Sequence, residues 1–216
     1  MKKQTGFTLI ELAIVLVIIG LLLGGVLKGQ ELINSAKVKN MASDFKNVQV
    51  FIYGYQDKYK ALPGDDPNPV THSGGTLATA GMTPGNGVIQ GEWDSVTTTD
   101  ESFLFWEHVR KAGLAPGATA FGTAAELAAY IPRNADGGRI GVQSINGFTE
   151  ITNMLGSFVV CSDAILGKFA KQLDTTLDDG ETSTGSVRAV VSGTPGAGVA
   201  SSVVVDANNY TVCMSF

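Results

Sequence analysis

The stretch Phe7–Leu27, FTLIELAIVLVIIGLLLGGVL, holds a single charge, Glu11. As a helix rising 1.5 Å per residue it is roughly 31 Å long, enough to cross the hydrocarbon core of a bilayer. Before it stands a short polar segment, MKKQTG, whose lysines favour a cytoplasmic N-terminus. Three kinds of chain begin this way. A secretory signal peptide has a shorter apolar region followed by a small-residue cleavage site, and this run is too long and carries a carboxylate near its start. A plain membrane anchor fits the length but assigns no work to Glu11, and an ionisable group in hydrocarbon costs a few kcal/mol unless it is partnered.

The third kind accounts for each piece. Gly6-Phe7-Thr8-Leu9-Ile10-Glu11 resembles the motif of type IV prepilins and of the related type II secretion pseudopilins. The resemblance implies cleavage by prepilin peptidase between Gly6 and Phe7, and N-methylation of Phe7. The new amine of Phe7 is a cation. In a filament core it would pair with Glu11 of a neighbouring subunit, offsetting the desolvation of both charges and fixing axial register. Many type IV pilins carry a helix-breaking proline in this segment; here Lys28 takes its place and the first proline is Pro63. Gly20, Gly24 and Gly25 are the remaining weak points for helix.

Beyond Leu27 the pattern becomes one-sided. Val38, Met41, Phe45, Val48, Ile52, Tyr55, Tyr59 and Leu62 recur at alternating steps of three and four, an apolar stripe along one helix face. Lys37, Lys39, Asp44, Lys46, Gln49, Asp57 and Lys58 occupy the other faces. Leu62-Pro63-Gly64 ends the pattern, because proline disfavours helix at the residue before it. One helix over 7–60 is therefore expected: 7–27 for membrane and filament core, 28–60 amphipathic, after a leader at 1–6. No flexible linker follows the apolar run, as an ordinary anchored enzyme would more often have.

Residues 61–216 form the expected head. Residues 64–99 read mostly as loop. Helices are expected over 100–113, 124–130 and 163–173. Strands are expected over 139–145, 156–161, 186–192, 203–205 and 210–214. The fold class is α+β: a long N-terminal helix packed against a small antiparallel sheet, the pilin-like plan that the resemblance implies. Glycine is abundant, at 27 residues, which suits a loop-rich head outside the cytoplasm. In an exported chain the two cysteines, Cys161 and Cys213, form an even pair suited to a disulfide. This resembles the C-terminal disulfide-bounded region of type IV pilins.

Chemistry-bearing constellations are few. His72 and His108 sit in no zinc or nucleophile pattern, and there is no phosphate loop, Gly-x-Ser-x-Gly or Cys-x-x-Cys. His108 reads as a packing or helix-surface residue. Carboxylates cluster at Asp65-Asp66 and at Asp174, Asp178, Asp179 and Glu181. Oxygen donors on a glycine-containing loop are the kind calcium takes, and some pseudopilin heads bind it, although the spacing is not that of an EF-hand. Acidic turns are more often solvated turns, and without a sheltered site they lack the raised pKa of a glycosidase acid. The 15 Lys and Arg are scattered in a chain of net charge -5, so no nucleic-acid face stands out.

The functional expectation is a structural, non-enzymatic subunit of a type IV pilus-like filament. Its partners would be homologous subunits in a helical filament, prepilin peptidase, an inner-membrane assembly platform, and membrane lipid before assembly. It would start as a single-pass inner-membrane protein with its head in the periplasm. The alternatives are a type II secretion pseudopilin or minor tip pilin, and, from another class, a membrane-anchored periplasmic enzyme or binding protein.

Overall fold

The computed structural model describes residues 8–79, 81–193 and 200–216. The expected α+β architecture is present. Helix α1 (Leu9–Tyr59) is followed by α2 (Pro69–His72), α3 (Glu101–Lys111), α4 (Ala124–Tyr130), β1 (Ile140–Ser144), β2 (Phe158–Leu166), α5 (Gly167–Leu177), β3 (Val187–Val191) and β4 (Asn209–Ser215). The chain divides into two compact units, Met1–Lys37 and Val38–Phe216, so the division falls within α1.

In the first unit the large apolar side chains from Leu9 to Leu27 are exposed. A Cβ built on Gly20, Gly24 or Gly25 would meet nothing within 4 Å, so no close contact within the chain demands glycine there.

In the second unit the predicted stripe is the buried face of α1. Val38, Met41, Phe45, Val48, Ile52 and Tyr55 are all buried, joined by Ala42. They share one core with Phe103, Phe105 and Val109 of α3, with Phe169 and Leu173 of α5, and with one face of the sheet. The helix stops where Lys60 takes a left-handed φ of 56°, three residues before Pro63. Leu62 lies past the helix and is still buried. Phe45, 1% exposed, fills the middle of the stripe. Phe45→Ala is expected to cost about 3–5 kcal/mol through lost burial and the cavity left behind. Urea unfolding followed by tryptophan fluorescence checks this.

The sheet has four antiparallel strands in the order β1-β2-β4-β3. Side chains alternate across it. Val142, Val160, Val212 and Met214 face the α1 core, while Val159, Cys161, Val190 and Cys213 face a second cluster with Trp93, Ile151 and Met154.

Three elements depart from expectation. The helix expected from Asp163 starts instead at Gly167, and Ile165 and Leu166 belong to β2. The strand passes a bulge between Ser162 and Ile165, with Ala164 at φ 54°, and then resumes pairing at Ile165↔Tyr210 and Leu166↔Asn209. The helix begins where Gly167 lets Val205 approach: a Cβ there would lie 2.1 Å from the Val205 carbonyl oxygen. Residues 203–205 are not a strand. The Val205 N–H donates to the Tyr210 hydroxyl (2.9 Å) rather than to a ladder partner, and Val203 points to solvent. Finally, α2 is a short helix inside the expected loop, with proline at its start.

Candidate functional site

Of the residues that the motif singles out, Gly6 and Phe7 lie outside the described residues. Glu11 occupies the first turn of α1. Its Oε2 accepts hydrogen bonds from the Thr8 N–H (2.8 Å) and the Thr8 hydroxyl (2.6 Å), while its own N–H donates to Thr8 Oγ1 (3.3 Å). This is the reciprocal capping box of T-x-x-E, which satisfies backbone donors left free at a helix start. Glu11 therefore does local work in a single chain. It remains exposed, at the head of the one described helix long and apolar enough to span a membrane.

Cys161 and Cys213 are registered directly opposite each other on β2 and β4, with Cα atoms 4.1 Å apart, and form a disulfide. Both are fully buried in the cluster on the face of the sheet away from α1.

The acidic turn after α5 is organised by backbone hydrogen bonds. Asp178 caps the start of β3, its Oδ2 accepting from the N–H groups of Ser186 and Val187 (2.9 Å for the latter). Asp179 accepts from the Glu181 N–H (2.9 Å), and Glu181 accepts from the Ser183 hydroxyl (2.9 Å). Asp174 is buried within α5, with one oxygen accepting from the Gly180 N–H (2.7 Å) and the other unpartnered. Burial, with Asp179, Asp178 and Glu181 adding like charge, pushes its carboxyl up to about 6. Among the described residues no three His, Cys, Asp or Glu side chains gather into a metal-holding group. The four carboxylates thus lie on α5 and the turn after it without gathering into one cluster.

Adjacent Asp65 and Asp66 have separate tasks. The carboxylate of Asp65 accepts N–H groups from Gly85 (2.6 Å), Asn86 (3.1 Å) and Gly87 (2.7 Å), fastening residues 85–87 to the segment after α1. Burial still leaves its pKa raised, those three donors offsetting only part of the effect. Asp66, wholly buried, accepts from the Tyr55 hydroxyl (2.7 Å), the Asn68 N–H (2.8 Å) and His72 Nδ1 (2.8 Å). Burial opposes its ionisation, but these partners outweigh that and hold its pKa below the usual range. His72 also stacks on Tyr59. An acid that orients an imidazole is half of a nucleophile-activating triad. Among the described residues, however, no hydroxyl or thiol is hydrogen-bonded to the other ring nitrogen of His72.

His108 is fully buried in α3, as the packing alternative expected. Its Nδ1 accepts the Gly64 N–H (2.9 Å) and its Nε2 bonds to the Thr76 carbonyl (2.9 Å). That pattern fixes the neutral tautomer with the proton on Nε2, and burial lowers its pKa accordingly.

Comparison with protein-family models matches residues 1–27 to the prokaryotic N-terminal methylation motif. No curated protein and no solved structure matches the chain.

Proposed function

We propose that this chain, which carries the prokaryotic N-terminal methylation motif of type IV pilin and pseudopilin precursors, is a structural, non-enzymatic subunit of a type IV pilus-like filament. The motif carries this reading, and the apolar helix that follows it fits a membrane-anchored precursor. Prepilin peptidase cleaves between Gly6 and Phe7 and the new Phe7 amine is methylated. The 7–27 segment holds the subunit in the inner membrane by its apolar surface, with the head in the periplasm. An assembly platform then moves the subunit into a helical filament, where like segments from other subunits replace lipid.

Two features fit this plan. The apolar side chains of Leu9–Leu27 are exposed all round, so each needs lipid or another helix beside it. The amphipathic part of α1 is built into the core of the second unit, so the helix that enters the membrane also forms part of the head's own core. Inside a filament the Phe7 amine of one subunit is the cation available to Glu11 of the next.

Mass spectrometry of the mature protein from a host with prepilin peptidase tests the processing step. The expected product begins at Phe7 and is one methyl group heavier than the bare chain. Retention of Met1, or any other start, overturns it. Scoring surface filaments and secreted proteins separately in a deletion strain distinguishes a pilus subunit from a type II secretion pseudopilin.

A further inference from the structure

Glu101 opens α3 and is fully buried. Its place in the first turn suits the helix dipole, but the dipole does not explain its removal from water. One carboxyl oxygen accepts the Gln90 N–H (2.8 Å), and the other is buried without a partner. On the far side of the same short segment, Asp65 accepts the Gly85, Asn86 and Gly87 N–H groups. Two buried acids thus fasten the two ends of residues 85–90.

The other ties are modest. Ser102 N–H donates to the Gln90 carbonyl (3.0 Å), Ile89 N–H donates to Ser144 Oγ (2.8 Å), and Ser144 N–H returns to the Ile89 carbonyl (3.0 Å). Ile89 is the apolar side chain that the segment buries. The titratable groups facing Glu101 are Asp65, from the segment after α1, and Asp100, immediately before α3. Both are acids. Strand β1, which packs on α3, and residues 85–91 contribute no titratable side chain.

We propose that Glu101 is a proton-operated latch: with a proton on its buried carboxyl, residues 85–90 lie closed against α3, and loss of that proton loosens them. An ionised carboxylate with an unpartnered oxygen, sunk beside a second carboxylate, is the costly state of this site. Taking up a proton removes that charge. Burial acts most strongly and pushes the carboxyl up to about 7, with Asp65 and Asp100 adding to it and the Gln90 N–H opposing. An unfolded or opened chain ionises Glu101 near the ordinary 4.5. The closed state therefore binds more protons between those two values. The stabilisation is complete below the lower one and is lost as pH rises to the higher one.

The test uses the full-length protein in detergent micelles with carboxyl-labelled glutamate. Carbon-13 NMR is expected to show the Glu101 carboxyl titrating with a midpoint near 7. Amide exchange at Gly85, Gly87 and Gln90, corrected for intrinsic chemistry, is expected to rise by up to roughly tenfold per pH unit between about 5 and 7. Glu101→Gln, which keeps the shape and an acceptor for Gln90, is expected to flatten the pH dependence at Gln90 and to leave at Gly85 and Gly87 only the share that Asp65, whose pKa is also raised, contributes. A midpoint near 4.5, or corrected exchange that stays flat in the unaltered protein, overturns the latch. So does a pH dependence at Gln90 that is the same in Glu101→Gln as in the unaltered protein. The titration is read on the unaltered chain, so it decides the matter even where the variant fails to fold.

Discussion

Glu11→Ala is expected to leave the protein inserted in the membrane and to remove it from filaments. The substitution deletes the one charge in Phe7–Leu27, so the segment becomes more apolar and partitions into the bilayer at least as well. In the proposed filament it would leave the Phe7 ammonium of a neighbour buried and unpaired. Breaking one side of a buried ion pair costs about 3–5 kcal/mol, and at about 1.4 kcal/mol per tenfold this is a loss of roughly 10²-fold or more in incorporation. The measurement is an immunoblot of sheared filaments against membranes, with the altered subunit supplied beside unaltered ones. Since Glu11 also caps α1 through Thr8, the companion variant Glu11→Gln is needed. Glutamine still accepts the Thr8 N–H in a capping box but carries no charge. Both variants are expected to fail; incorporation of Glu11→Gln at normal levels would assign the whole effect to helix capping and sink the register role.

Removal of the disulfide by Cys161→Ala together with Cys213→Ala is expected to cost the head about 4 kcal/mol in the chain-entropy model. The two positions are 52 residues apart, and the freed chain between them regains loop entropy when unfolded. The sites are fully buried, so the smaller alanines also leave unfilled space in the cluster around Trp93 and Met154. Urea unfolding of the double variant beside the oxidised parent provides the comparison. A difference under about 1 kcal/mol would show that the strand register holds without the cross-link.

The α1 stripe was legible because six buried positions from Val38 to Tyr55 repeat at helical spacing, a signal strong enough to stand out beside the exposed Val50 and Tyr53. Helix α4 stands at its expected bounds with one buried side chain, Tyr130, and a Thr123/Glu126 capping box at its start. The same signature at Thr8 and Glu11 was equally readable, but an apolar run directs attention to the membrane and hides an ordinary capping role. The bulge in β2 was not readable. Ser162, Asp163 and Ala164 interrupt an apolar strand in a way that looks like a helix start, and only pairing with β4 on both sides of the bulge keeps the strand going. Nor was the difference between Asp65 and Asp66. They are neighbours in sequence, yet one is surrounded by glycine N–H groups twenty residues on and the other by Tyr55 and His72. The buried state of Glu101 had no sequence signal either, since an acid at the first position of a helix is ordinarily solvated.

The strand order also sets a timetable. In β1-β2-β4-β3 the two inner strands are β2 and β4, and on the proposed route, with the N-terminus kept in the cytoplasm and the head crossing in chain order, Asn209–Ser215 emerges after every other strand. Until then β2 and β3 each present an open edge, the condition under which strands pair with the wrong neighbour. On that route, closure of the sheet and oxidation of Cys161 with Cys213 follow translocation of this stretch, at a moment when the apolar first part of α1 is already held in the bilayer. Tethering at the membrane keeps heads with unfinished sheets apart during the interval in which they are most prone to join.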